Sequence, residues 1–512
     1  MNKKVEYPWF VHRDIDGFFG LFIDNLVNLL VISGVLSFLF KMPTSIVYGK
    51  VIPGAAISLI IGNYYYAYQA RKLAEREGRT NVTALPYGIS TPIMFAYLFM
   101  IIGPVYWKTG NPELAWQVGV VAAFLGGIFE VLGAFVGPFV RKYTPRAALL
   151  GTLAGIAITW IALKPTLGIF NHPEIGFLPM AIILIGFVAR IVLPIPTGLL
   201  AIALGSVLAW IVGFMKPEAV TEAIGHFGFY PPLLQLGTIL NAFKEATPFL
   251  VVIIPMAIYN FLETMQNVES AAAAGDEYDT KSTMIVDGMG TIGGALFGSC
   301  FPTTVYIGHP GWKAVGAKRG YSVLNGTVIL ILALLGIFPL VSAVIPKEVA
   351  FAILLYIALV IGAQAFQTVP LAHAPAVAIA FIPHIANYVK TAVDGALSAA
   401  GTDAATVGTQ KLAEMGVEYG GLIPLGAGAI VTGMLLGAIT AFMIDRKLYE
   451  AGIYSVASAI LSFFGIIHAS QLGINQAPLF SVGYLIITAI CFMLHYYAKT
   501  SGKKLEVLEI KS

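Results

Sequence analysis

The sequence predicts an all-α polytopic membrane protein built as an inverted seven-plus-seven transmembrane repeat, with two short strands set into broken helices 3 and 10. Three observations carry that prediction: the composition, a series of apolar segments of membrane-spanning length, and three pairs of matching motifs spaced seven segments apart. Hydrophobic residues make up 58% of the 512 and charged residues only 11%, against about 25% charged in a soluble domain. The mean hydropathy is +0.82. With 54 Gly and 28 Pro, closely packed and partly broken helices are expected, because a bilayer tolerates both residues where neighbours satisfy the freed backbone groups. A net charge of +3, dispersed over short loops, makes no basic stripe, so a nucleic-acid partner is excluded. Cys300 and Cys491 both sit in apolar runs and offer neither a disulfide framework nor a metal cluster. The polar N-terminal stretch carries no short apolar core with a cleavage site, so no cleaved signal peptide is expected.

Apolar runs of about 20 residues, the length that crosses a bilayer, give sixteen candidate segments between positions 17 and 497. Residues 1–215 hold spans one to seven, the first repeat. Residues 216–246 form an external connecting loop with room for a surface helix, and 247–445 hold spans eight to fourteen, the second repeat. Residues 446–512 carry extra hydrophobic segments and a cytoplasmic tail. The stretch 391–420 reads as a polar external loop. Basic residues gather at alternate ends of the spans: Lys3, Lys4 and Arg13, then Arg71, Lys72, Arg76 and Arg79, then Arg141, Lys142 and Arg146, and finally Lys499, Lys503, Lys504 and Lys511. By the positive-inside rule these ends face the cytoplasm, which puts both termini there and the protein in the cell membrane as a multi-pass chain.

The repeat rests on three motif pairs. Span one contains Phe22-Ile-Asp24-Asn25-Leu-Val-Asn28 and span eight Phe261-Leu-Glu263-Thr264-Met-Gln266-Asn267. Span five opens on Thr144-Pro145-Arg146-Ala147 and span twelve on Ile345-Pro346-Lys347-Glu348. Spans three and ten carry Tyr87-Gly88-Ile89-Ser90-Thr91-Pro92 and Tyr306-Ile307-Gly308-His309-Pro310-Gly311. Seven is odd, so the second half must insert upside down. Inverted repeats with a midplane site between discontinuous helices recur among secondary transporters.

Glu263 is the most informative residue, because a carboxyl inside an apolar helix costs about 2.5–3.5 kcal/mol on insertion scales and therefore faces a cavity or a partner. Asn267 lies on the same helical face. Together they offer a carboxyl that accepts or donates with its protonation and an amide that does both, which suits a planar heterocycle. The breaks at spans three and ten read as short extended strands, from their β-branched character, each feeding a half-helix that starts at Pro92 or Pro310. Ser90, Thr91 and Gly308 fall at those junctions, where half-helix N–H groups are free for a ligand. His309 is a titratable group in the second break, a candidate both for substrate and for a proton, with a satisfied structural histidine as the alternative. Asp24 and Asn28 mirror Glu263 and Asn267, with Asn25 beside them, and either complete the site or simply bond the neighbouring half-helix. Glu130 and Asp287 carry no motif and are read as interhelical contacts. No HExxH, no GxxxxGK[ST] and no GxSxG is present, so an enzyme, ATP-driven transport and a bound cofactor are not expected.

On these residues the chain resembles the nucleobase/ascorbate transporters, also called xanthine/uracil/vitamin C permeases, with Phe261–Gly326 carrying the strongest likeness. Within it stand Asp287-Gly-x-Gly-Thr-x-Gly-Gly-Ala-x-x-Gly and the Gly-Lys/Arg-Gly turn into span eleven, while Thr144-Pro145-Arg146-Ala147 resembles the adenine/guanine permease branch. The resemblance implies core and gate domains, an elevator-type motion, a homodimer, and symport of a purine or pyrimidine base with protons. It further implies that Glu263 is the substrate-binding and proton-coupling carboxylate, that Asn267 stands where the uracil permease has a His, and that Ser90 and Thr91 lie where the third-helix backbone touches the base. Many relatives carry a Glu at or beside Gly308; here Gly308-His309 stands instead, making His309 a second anchor and proton carrier. An anion transporter of the same seven-plus-seven fold is the alternative, with half-helix N-termini holding the anion.

Overall fold

In hydrocarbon a chain must satisfy its own backbone N–H and C=O groups, and long apolar segments do so as helices. The computed structural model describes residues 6–225 and 227–501; the basic residues Lys3, Lys4, Lys503, Lys504 and Lys511 lie outside the described residues. In chain order the principal elements are α1 (Asp14–Gly34), α2 (Ile52–Glu77), β1 (Tyr87–Ile89), α3 (Thr91–Tyr97), α4 (Pro112–Gly133), α5 (Arg146–Ile156), α6 (Leu250–Ala273), α7 (Thr280–Leu296), β2 (Thr303–Val305), α8 (His309–Ala314), α9 (Gly320–Leu334), α10 (Lys347–Gln367), α11 (Ala374–Ala399), α12 (Ala429–Ile444), α13 (Leu448–Phe463) and α14 (Pro478–Ser501).

Among the described residues, seven helices are long and apolar enough to cross a membrane unaided, or nine if each of two sharply bent pairs counts as one span. Sixteen hydropathy segments thus overstate the number of continuous spanning helices. The physical reason is breakage: the segment near 83–104 is β1 followed by α3, and that near 302–318 is β2 followed by the short α8. The stretch 391–420 is also not a plain loop, since α11 runs to Ala399 and two short helices, Ala404–Val407 and Thr409–Glu414, follow it. Likewise 216–246 contains two helices, Pro217–Ile224 and Leu236–Ala246.

The chain packs as two units, one formed by residues up to Lys142 with Trp160–Gln364, the other by Tyr143–Thr159 with Ala365 onward. The first unit holds both strands. They pair antiparallel, Tyr87 opposite Val305, Gly88 opposite Thr304 and Ile89 opposite Thr303. Backbone bonds extend the ladder at each end, from Ser90 N to Pro302 O at 3.0 Å and from Tyr306 N to Pro86 O at 2.8 Å. Their equivalence is visible in how each is held. The Nδ2 of Asn28 donates to the carbonyl of Ile89, the last residue of β1, and the Nδ2 of Asn267 to that of Val305, the last residue of β2. Two motif-matched helices therefore anchor two oppositely directed strands at the same position, and each strand leads to a helix with Pro in its first turn. That is the relation an inverted repeat requires, and the all-α, strand-broken fold class expected from the sequence is the one observed. Gly88 is obligatory in this arrangement, because a Cβ there would overlap the Tyr306 ring and approach Asn25 Oδ1.

The second unit is bound by small-residue contacts and a few buried polar bonds. A Cβ on Gly433 or Gly437 of α12 would meet α11 backbone at Ala380 or Ala376, so these glycines set the close approach. Thr152 on α5 shares a 2.6 Å hydrogen bond with His384 on α11. The extra C-terminal hydrophobic segments are α13 and α14, joined by Ser455 Oγ to Tyr484 O at 2.9 Å and Ser481 Oγ to Ala459 O at 3.0 Å.

Candidate functional site

The strand pair in the first unit brings α1, α3 and α6 together around one acidic centre. Ser90 follows β1 and stands at the N-cap of α3 with extended backbone (φ −61°, ψ 107°), and its hydroxyl donates to Glu263 Oε2 at 3.0 Å. Glu263 is 6% exposed. Among the described residues its second oxygen has no protein donor. Asp24 on α1 lies within electrostatic reach of both Glu263 and Tyr306. Among the described residues no Lys, Arg or His pairs with Asp24 or Glu263. Behind these carboxyls runs a polar chain: Thr91 Oγ1 donates to Asn28 Oδ1 at 3.0 Å, Asn28 Nδ2 to the Tyr306 hydroxyl at 2.7 Å, and that hydroxyl to Ile89 O at 2.8 Å. Asn25 and Asn267 direct their amide N–H groups at strand or helix carbonyls, leaving Oδ1 of each without a partner. The centre is thus rich in acceptors, while donors come from the first-turn N–H groups of α3 at Thr91 and Ile93, which no helix carbonyl can satisfy.

A second buried layer supports the strands. Asp287 on α7 accepts from the Tyr66 hydroxyl, from Thr264 Oγ1 at 2.6 Å and from the backbone N–H of Val305 at 2.9 Å. Its carboxylate therefore stitches α2, α6 and β2, the interhelical role expected for it. Thr303 adds side-chain hydrogen bonds with Tyr87 and Ser58, both at 2.6 Å. Tyr306 and the Tyr66–Asp287 pairing were not legible as site parts; a Tyr in a break flanked by Gly was the available signal for the first, and nothing local signalled the second.

His309 sits elsewhere. Its Nε2 donates toward Thr83 O at 3.0 Å and Asp276 Oδ2 at 3.1 Å, with the ring 1% exposed. Asp276 is the hub of a charge cluster that also takes Arg79 Nη2 at 2.9 Å, Lys313 Nζ at 2.5 Å and the backbone N–H of Thr83 at 3.0 Å. His309 is thereby committed to the loop that follows α6, and the structure does not bring it to Glu263. His309→Gln is expected to lower the thermal midpoint through the lost Asp276 contact while leaving substrate affinity and the pH profile of uptake unchanged; a flattened pH profile in the variant would return His309 to the site.

Gly308 carries φ +128°, a left-handed conformation open to glycine, and a Cβ there would collide with the Trp312 ring and reach Ile357 at 2.8 Å. A Glu, such as the nucleobase/ascorbate transporters that the sequence resembles carry at or beside this position, therefore has no room at Gly308 itself. Gly308→Glu is expected to prevent folding or abolish membrane accumulation, measured as monodisperse yield after extraction. An abundant, folded variant would contradict this packing.

Strands in broken helices, half-helices that begin at Pro, and acidic groups held at their junction define the chain as a polytopic membrane protein with a discontinuous-helix centre. No family model and no curated protein matches the sequence. Among solved structures, the transmembrane domain of a cyanobacterium bicarbonate transporter, BicA, is similar at 15% identity and a TM-score of 0.40, covering 75% of this chain and 97% of that chain. The resemblance to nucleobase/ascorbate transporters accordingly rests on the residues quoted for it alone.

Proposed function

We propose that the protein is a secondary transporter of a small polar heterocycle of the nucleobase class, coupled to protons through Glu263. The observation that carries this reading is Glu263 itself. Ser90 fixes one carboxyl oxygen at the strand-to-helix junction, and the other is left without a protein donor beside Asp24. A base presents N–H donors to such acceptors and carbonyl or ring-nitrogen acceptors to the N–H groups of Thr91 and Ile93. A carboxyl that changes between acceptor and donor as it gains a proton links substrate binding to protonation, which is what symport requires. Orientation with both termini in the cytoplasm follows from the placement of Arg71, Lys72, Arg76 and Arg79.

An anion is the second reading, favoured by one feature: the half-helix α3 begins with N–H groups, at Thr91 and Ile93, that no helix carbonyl satisfies, where anions bind. Two carboxyls without a basic partner oppose it, since a buried negative charge repels a second one. Uptake into proteoliposomes of radiolabelled bases and of inorganic anions, with and without an imposed pH gradient, decides. Saturable base accumulation driven by an inward proton gradient is expected; anion uptake with no base uptake would replace this reading with the second.

A further inference from the structure

One carboxyl is not explained by transport. Glu130 lies in the last turn of α4 and is fully buried. Its Oε2 accepts from Asn260 Nδ2 on α6 at 2.8 Å. The same amide nitrogen donates its other hydrogen to the Thr303 carbonyl of β2 at 3.2 Å. Both hydrogens of the Asn260 amide are thus used, which fixes its orientation: turning the amide over would set its oxygen against a carboxyl oxygen and a carbonyl. Two buried oxygens are then left over on this pair, Oε1 of Glu130 and Oδ1 of Asn260, and neither has a donor. A buried acceptor without a donor is destabilising, the more so when it carries a charge. A carboxylate at Glu130 would also stand within electrostatic reach of Asp287 and Glu263, with no basic side chain paired to it among the described residues.

We infer that Glu130 holds a resident proton, forming with Asn260 a neutral carboxylic acid–carboxamide pair. The acid donates from Oε1 to Asn260 Oδ1 while the amide donates from Nδ2 to Oε2. One proton satisfies both stranded oxygens, removes a negative charge from the interior, and leaves the second amide hydrogen to hold β2 by Thr303. Asp287 is the opposite case: three donors already converge on it and both of its oxygens are partnered, so neither calls for a resident proton. Glu130 is therefore a positioning residue that carries a proton through the transport cycle without releasing it. This inference stands whichever substrate the acidic centre takes.

Glutamine reproduces the neutral acid, since its amide donates where the acid O–H did and accepts where the acid carbonyl did. Full-length protein in lipid nanodiscs is compared as wild type, Glu130→Gln, Glu130→Ala and Asp287→Asn. The infrared difference between wild type and Glu130→Gln is expected to show a protonated-carboxyl C=O band in the wild type that shifts slowly in heavy water. Glu130→Gln is expected to keep its thermal midpoint within about 2 °C, whereas Glu130→Ala and Asp287→Asn fall well below it. The absence of that band, or a Glu130→Gln variant that is as unstable as Glu130→Ala or does not fold, overturns the inference. So does a wild-type midpoint that rises in sodium chloride relative to choline chloride and loses that rise in Glu130→Gln, because a cation would then bridge the two oxygens.

Discussion

Glu263→Gln is expected to abolish concentrative uptake while the protein remains folded and in the membrane. The amide keeps the length and planarity of the carboxyl, so the 3.0 Å contact with the Ser90 hydroxyl survives through the glutamine oxygen and the junction of β1 and α3 keeps its shape. What is lost is titration. A group that cannot take up and release a proton cannot convert a proton gradient into accumulation, although it can still hold a base at equilibrium. The variant is therefore expected to bind substrate, and to exchange it down its own gradient, without accumulating it. Counterflow assays alongside gradient-driven uptake separate the two; wild-type accumulation by Glu263→Gln would remove this residue from proton coupling.

Asp276→Asn should destabilise the first unit by about 3–5 kcal/mol, the usual loss when one partner of a buried charge cluster is removed and the others remain. Arg79, Lys313 and His309 all converge on this carboxylate, whose side chain is 0% exposed. Burial opposes its ionisation, but the hydrogen bond and charge of His309, followed by those of Lys313, overcome that and hold the Asp276 pKa down to about 2, below the ordinary 3.8. Because the folded value is depressed, the stabilisation is fully present above pH 3.8 and is lost as pH falls toward about 2. Thermal midpoints measured across that window should fall in the wild type more steeply than in Asp276→Asn. Parallel curves would show that the cluster contributes no proton-linked stability.

Several features of the centre were readable in the chain because they are properties of spacing. Asn28 and Asn267 occupy the same place in two seven-residue motifs, and the helices that carry them anchor β1 and β2 in the same way. Pro92 and Pro310 marked the half-helix starts, since a residue without an N–H loses nothing in a first turn. The membrane class followed from composition, and the buried carboxyls from the cost of placing them in an apolar run. Span counting failed where a segment was apolar but not continuous in structure, because hydropathy registers the solvent a segment prefers and is blind to whether its backbone bonds to itself or to a strand 216 positions away.

Side-chain direction was settled only by the fold. His309 and Ser90 both sit beside a Pro-started half-helix, yet Ser90 meets Glu263 whereas His309 turns to Asp276, a loop residue that no local pattern connects to it. The same holds for Asp287 and Glu130, alike in sequence as acidic residues in apolar helices. One is surrounded by three donors and the other left with a single amide. The sequence by itself determined the solvent, the helices, their breaks and the paired motifs, because these depend on periodicity and local backbone chemistry. Tertiary structure alone decided which polar groups meet and which buried oxygens go without a donor, because hydrogen-bond partners in a low-dielectric interior are chosen by atoms brought together from distant parts of the chain.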